Sequence, residues 1–218
     1  FAMTVGGLSA CAPNRGAAYA RSLAEARLAH HNGRFEAAAV NFEQASKNAK
    51  IPRDAIYARY EAALAWARAG DVARAATELR AIATAKPESA YAAQAAFKAA
   101  ELARASDEGA GLRALEGVVV GFPESGVAQV ALARLLKHDD AAGPEAGLAR
   151  LERLAPRVKS AKVEEKVFYE RARRFDALGR TEAARDAFLE VAAKWPYPFG
   201  AFNDDALFRA AEVEESLG

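Results

Sequence analysis

Metal binding and nucleophilic catalysis need several reactive side chains brought to one point, and this chain holds three His and one Cys. His30 and His31 are adjacent, so on a helix their side chains diverge by about 100° and cannot share one metal. His138-Asp139-Asp140 reads as a solvated loop at a helix end. Glu164-Glu165 and the acidic run from Glu212 to Glu215 read as wet helix faces. No HExxH, paired CxxC, phosphate-cradling glycine loop or GxSxG occurs. The expectation is therefore a protein that is not an enzyme, with no catalytic residue, metal, cofactor or small-molecule substrate. Two features remain. One is the lone Cys11; the other is a series of Arg and Tyr side chains recurring along the chain.

Those side chains need elements to position them. Ala supplies about a quarter of the 218 residues, and Leu, Arg and Glu, also strong helix formers, supply much of the rest. No stretch shows sustained alternation of apolar and polar residues, so the chain reads as all-α. The stretch from Gly179 to Pro196 sets the pattern. Its Gly ends one helix, Ala184, Phe188 and Val191 line a second, and Pro196 stops it. Gly70, Val72, Ala75, Leu79, Ile82 and Pro87 repeat that order, as do Gly33, Phe35, Ala38, Phe42 and Ala45. A fixed period in this range means stacked helical hairpins.

The spacing predicts a first helix over 17–31, broken at Asn32-Gly33, and a second through Phe35 and Phe42. Asp54 and Asp71 are placed to cap the two helices of the next hairpin. Ser89, after Pro87-Glu88, offers a hydroxyl to the amides of the third. Gly111, Gly117 and Gly121 weaken the helix that contains them. The fourth hairpin is the most degenerate, with one helix ending near His138 and the next opening at Pro144. After the fifth, Trp195 to Gly200 forms a rigid turn. Asn203-Asp204-Asp205 then caps a final helix that closes the array. A net charge of +1 argues against a general electrostatic grip on nucleic acid. No run of 18 apolar residues is present.

Residues 1–10 are apolar and small, and Leu8-Ser9-Ala10-Cys11 fits the lipobox that precedes the acylated cysteine of bacterial lipoproteins. The charged start of a signal peptide is missing, and Phe1-Ala2 is equally read as a cloning remnant. The resemblance implies a signal-peptide remnant at 1–10, a lipidated linker at 11–16 with Cys11 as the acylation site, and a repeat array over 17–218. It also implies anchoring at about 0.8 kcal/mol per buried CH₂. Ala12, rather than Asp, follows the Cys, which in this family favours the periplasmic face of the outer membrane of a Gram-negative bacterium.

The repeat landmarks resemble the tetratricopeptide repeat, best in the second and fifth hairpins and least in the fourth. Gly33 to Gly70 spans 37 residues and Gly143 to Gly179 spans 36, against the family's period of about 34. With the Pro-Glu-Ser boundaries, this resembles the tetratricopeptide-repeat lipoproteins of the bacterial cell envelope, of the BamD and CpoB (YbgF) types. The fold implied is an α-solenoid of about five hairpins plus a C-terminal capping helix. The function implied is a lipid-anchored scaffold that binds a protein partner in outer-membrane complex assembly. The alternatives are a pilotin-like or motility-machine lipoprotein, and a CpoB-like coordinator of peptidoglycan enzymes with the Tol–Pal system.

In this family the first helices of the hairpins line a groove for the partner. Carried over, the groove positions are Leu23, Arg27, His30 and His31, then Tyr57, Tyr60, Leu64 and Arg68. Arg104 follows, with Ala93, Ala96 and Ala100. Gln129 follows with Leu132 and Leu136, then Lys166, Tyr169, Arg173 and Asp176. Tyr and Arg dominate protein contacts. The resemblance thus implies a groove for a segment with acidic character or a free carboxyl end.

Overall fold

The computed structural model describes residues 15–85 and 88–217. The described residues form helices and turns only, arranged as consecutive helical hairpins, an all-α architecture. It divides into two compact units, with the boundary between Ile82 and Ala83. The lipobox, Cys11 included, lies outside the described residues.

The first unit holds α1 (Ala17–His31), α2 (Phe35–Asn48), α3 (Pro52–Ala69) and most of α4 (Val72–Ala85). Gly33 and Gly70 make the hairpin turns at φ 73° and 95°, in the left-handed region that a Cβ disfavours. Ala26, Ala38, Ala39, Ala45, Ala58 and Ala63 are fully buried. Small side chains at these positions let the helices approach closely, while Phe42, Trp66 and Leu79 fill the remaining space. One carboxylate ties three helices together. Glu43 on α2 accepts from Trp66 Nε1 on α3 at 2.7 Å and from Arg74 on α4 at 2.6 Å, and the Arg74 guanidinium lies 3.9 Å above the Trp66 ring.

Two expected caps need correcting. Asp71 does accept the Arg74 N–H, at 3.1 Å. Asp54 does not cap α3: Pro52 starts the helix earlier, with Ile51 at the N-cap. That places Asp54 in the first turn, buried and ion-paired to Arg15 at 3.2 Å. Its charge still faces the positive end of the helix dipole. Ser89 fails as a cap because a turn intervenes before the helix it was to open. Its carbonyl, not its hydroxyl, accepts the Ala92 N–H at 3.1 Å, and its Oγ is buried without a hydrogen-bond partner. At the second Pro-Glu-Ser the hydroxyl does cap: Ser125 Oγ accepts from Val127 N at 3.2 Å.

The second unit holds α5 (Ala92–Ser106), α6 (Glu108–Gly121), α7 (Gly126–Ala142), α8 (Pro144–Leu154), α9 (Ala161–Ala177), α10 (Thr181–Lys194) and α11 (Asn203–Leu217). Leu115, Val119, Leu132, Leu135, Leu151, Val163, Val167 and Phe188 form one continuous core. The last helix packs on α10. Asn203 turns its amide back rather than forward, donating to the carbonyls of Ala192 at 2.9 Å and Trp195 at 3.1 Å. Gly111 is more than a weak point in α6. A Cβ there would sit 2.4 Å from the Arg104 Cα, so its absence lets α6 cross directly on the α5 backbone. Gly111→Ala is expected to cost roughly 1–3 kcal/mol through this overlap. Gly117→Ala, where a Cβ meets nothing within 4 Å, should be neutral or stabilising. Denaturant midpoints of the two variants check the contrast.

The residues read as loops and wet faces also need correcting. Helix α7 does not end near His138; it runs on to Ala142. Asp139 is therefore on a helix face, 1% exposed, where Arg150 of α8 grips both its oxygens at 2.6 and 2.9 Å. Glu165 is not solvated either. It is 3% exposed and accepts the Phe202 N–H at 2.7 Å. That bond ties the segment between α10 and α11, which holds a cis Tyr197–Pro198 peptide, to α9. Glu212 and Glu214 are on the surface, ion-paired to Arg209 and Arg185.

Candidate protein-binding surfaces

In the first unit, one face is built from two helical stripes. Arg27 and His30 lie three apart on α1. Tyr57, Glu61, Leu64 and Arg68 follow at steps of four, three and four on α3, so they share one side of that helix. Arg27 donates to the Tyr57 hydroxyl at 3.4 Å. Arg68 contacts His30 Nε2 and sits over the Phe35 ring at 5.7 Å, and His30 meets the same ring edge-on at 5.4 Å. Four groove residues read from the sequence thus gather within this unit: Arg27, His30, Tyr57 and Arg68. Tyr60 is half-buried on α3, and His31 is exposed at the end of α1, outside the cluster.

The sequence reading missed Glu61, although its spacing from Tyr57 and Leu64 was the available signal. Burial pushes the Glu61 carboxyl above its ordinary range, and the charges of His30, Arg27 and Arg68 only partly offset this. The sign follows. A carboxyl with a raised folded-state pKa holds its proton more tightly folded than unfolded, so its ionisation costs stability at neutral pH. That cost disappears as pH falls into the carboxylate range. Glu61→Gln is expected to be more stable than the parent at neutral pH, with the advantage shrinking on acidification. Urea unfolding of both proteins across that range checks it; a difference independent of pH contradicts it.

In the second unit, α7, α9 and the segment before α11 enclose a cleft of about 420 Å³, a size typical of ligand-binding pockets. Its floor is Leu132 and Leu136 of α7 and Val163 of α9, and Phe202 and Ala201 close one end. Gln129, Ala133, Lys162 and Lys166 stand at its rim, with Phe199, 88% exposed, beside them. Lys162 has no carboxylate within ion-pair distance among the described residues. Lys166 is held at 2.8 Å from Glu170 and lies 4.7 Å above the Phe202 ring.

The other groove residues of this unit fall differently. Tyr169 is 7% exposed, stacked on Phe202 at 4.6 Å, with its hydroxyl bonded to Asp205; it supports the cleft from behind and does not line it. Arg173 is exposed and reaches Glu170 at 3.3 Å. Burial alone would raise the Glu170 carboxyl, but the hydrogen bond and charge of Lys166, then the charges of Arg173 and Arg174, hold it below its usual range. Arg104 lines a separate hollow with α6 and α7. Of the groove residues in this unit, Gln129, Leu132, Leu136 and Lys166 come together at the cleft. Ala133, Lys162, Phe199 and Phe202 were not read from the sequence.

Among the described residues, no three His, Cys, Asp or Glu side chains gather as a metal-ligand set, and no helix is long and apolar enough to cross a membrane. No protein-family model matches the chain, and no curated protein matches it. Among solved structures, it is similar to the kinesin light chain nearly identical TPR-like repeats of Podosopora anserina. The identity is 20%, over 80% of this chain and 93% of that one, with a TM-score of 0.44. A substituted form of the same protein gives 18% identity over 80% and 92%, with a TM-score of 0.45.

Proposed function

We propose that this chain is a non-catalytic adaptor that holds a segment of a protein partner, seated in the cleft between α7 and α9. The carrying observation is the cleft itself: the buried core residues Leu132, Leu136 and Val163 back it, and Ala133, Ala201, Phe202 and Phe199 carry its accessible apolar surface. Burying a partner's apolar side chains there contributes about 25 cal/mol per Å². The rim adds polarity of one main kind. Lys162 and Lys166 lie one turn apart on α9, while Glu165 is turned inward to the Phe202 N–H. A segment with apolar anchors and an acidic flank fits that rim.

The same reading places the adaptor on a membrane. Leu8-Ser9-Ala10-Cys11 supports lipid anchoring at Cys11, and Ala12 supports the periplasmic face of the outer membrane. There the closest functional model is a BamD-like assembly lipoprotein. The test is affinity capture of the lipidated full-length protein from envelope extracts in mild detergent, beside Cys11→Ser. Recovery of an outer-membrane β-barrel or secretin, reduced for Cys11→Ser, supports the anchored adaptor. Recovery of Tol or peptidoglycan-enzyme partners, equal for both forms, discards the anchor and the assembly role.

A further inference from the structure

We propose that a second site, the hollow where α5, α6 and α7 meet, binds a phosphate group, with Arg104 and Lys137 as its principal ligands. The hollow measures about 290 Å³ and is lined by Arg104 of α5, Leu112 and Leu115 of α6, and Arg134, Lys137 and His138 of α7. The α7 residues lie three and four apart, so the helix presents all of them to one side. Four nitrogen-bearing side chains therefore converge over two leucines.

Their charges are not balanced from within. Arg134 meets Glu101 at 3.1 Å, but that carboxylate also holds Lys98 at 2.7 Å. His138 is 3.9 Å from Glu108 and 3.2 Å from Asp139, and both oxygens of Asp139 are already bonded to Arg150. Arg104 and Lys137 are exposed and have no carboxylate within ion-pair distance among the described residues. Like charges brought together repel unless an anion bridges them. Two unmatched cations call for two negative charges, which a phosphate supplies and a single carboxylate does not. The planar fork of Arg104 suits two phosphate oxygens at once, and Lys137 adds a point charge. Leu112, partly exposed above the buried Leu115, leaves an apolar surface beside the anion, so the phosphate can be free or carried by a lipid.

The test is calorimetric titration of the full chain with inorganic phosphate and with dihexanoyl phosphatidic acid below its micelle concentration, and with acetate as a single-charge control. Saturable binding of phosphate or of the short lipid, weaker at higher ionic strength, is the expected result. Arg104→Gln and Lys137→Gln should each weaken it by about tenfold or more. Because both side chains are exposed, the thermal midpoint of each variant should stay at the parent value. The His138 ring resonances should shift with phosphate but not with chloride at equal ionic strength. Tighter binding of the lipid assigns the site to a lipid phosphate, and equal or weaker binding to the free anion; both support a phosphate site. The proposal is overturned if neither ligand binds saturably, if acetate binds as well as phosphate, or if the double variant Arg104→Gln/Lys137→Gln binds like the parent.

Discussion

Arg150→Ala is expected to destabilise the protein by about 3–5 kcal/mol, far more than removing an exposed arginine. Arg150 of α8 is nearly buried and holds Asp139 of α7 through two hydrogen bonds, at 2.6 and 2.9 Å. It also holds Glu116 of α6. Burial alone would lower the arginine's pKa, but Asp139 and then Glu116 outweigh it, so its charge is secure. Truncating it leaves a carboxylate that is 1% exposed with only the His138 ring, at 3.2 Å, beside one of its oxygens. A buried charge that has lost its arginine is the dominant cost, because water cannot replace that partner. Arg153, 3.4 Å from Glu116 but largely exposed, offsets only the Glu116 part. The double variant Asp139→Leu/Arg150→Met removes both charges and should recover most of the loss. Denaturant unfolding decides it: a loss for Arg150→Ala below about 1 kcal/mol, the range of exposed pairs, contradicts the account.

Ala133→Trp is expected to reduce partner capture by about tenfold or more while leaving stability within about 0.5 kcal/mol of the parent. Ala133 lines the cleft yet is itself exposed. An indole there occupies the volume over Leu132 and Leu136 without displacing a core side chain. The partner's apolar anchors then lose the floor they would bury against. The same substitution at Glu152, exposed on α8 and outside the cleft, serves as the control and should leave capture unchanged. Equal capture by the parent and Ala133→Trp means that the cleft is not the seat.

Much of the fold was legible because its punctuation is local. Gly33, Gly70 and Gly179 occupy the left-handed region at the hairpin turns, and only Gly adopts it freely. Pro144 starts α8 at the position where its missing N–H costs nothing. The repeat of Phe and Ala at helical spacing marked the core, as Phe42 and Phe188 confirm. The fourth hairpin matched the repeat least, and there an ionic cluster of Glu116, Asp139 and Arg150 joins α6, α7 and α8. Asp139 looked like a solvated loop residue because its partner Arg150 lies on the next helix and is shared with Glu116 of α6, which no local spacing reveals. Glu165 was misread for the same reason: its partner is a backbone amide 37 residues on. The candidate surfaces divide along the same line. The α3 stripe of Tyr57 and Arg68 is a local period and was readable. The cleft needs Lys162, Phe199 and Phe202 brought to α7 by packing, which no local pattern announces.

The most direct test of the central claim is site-specific photocrosslinking from position 133 of the full chain in its native cells, beside a probe at position 152. The account predicts one dominant protein adduct at 133, none of it at 152, and its loss when Leu136→Asp makes the cleft floor polar in a variant shown by its unfolding midpoint to be folded. Adducts of equal yield at both positions, or an adduct at 133 that survives Leu136→Asp, would contradict a partner segment seated in the cleft.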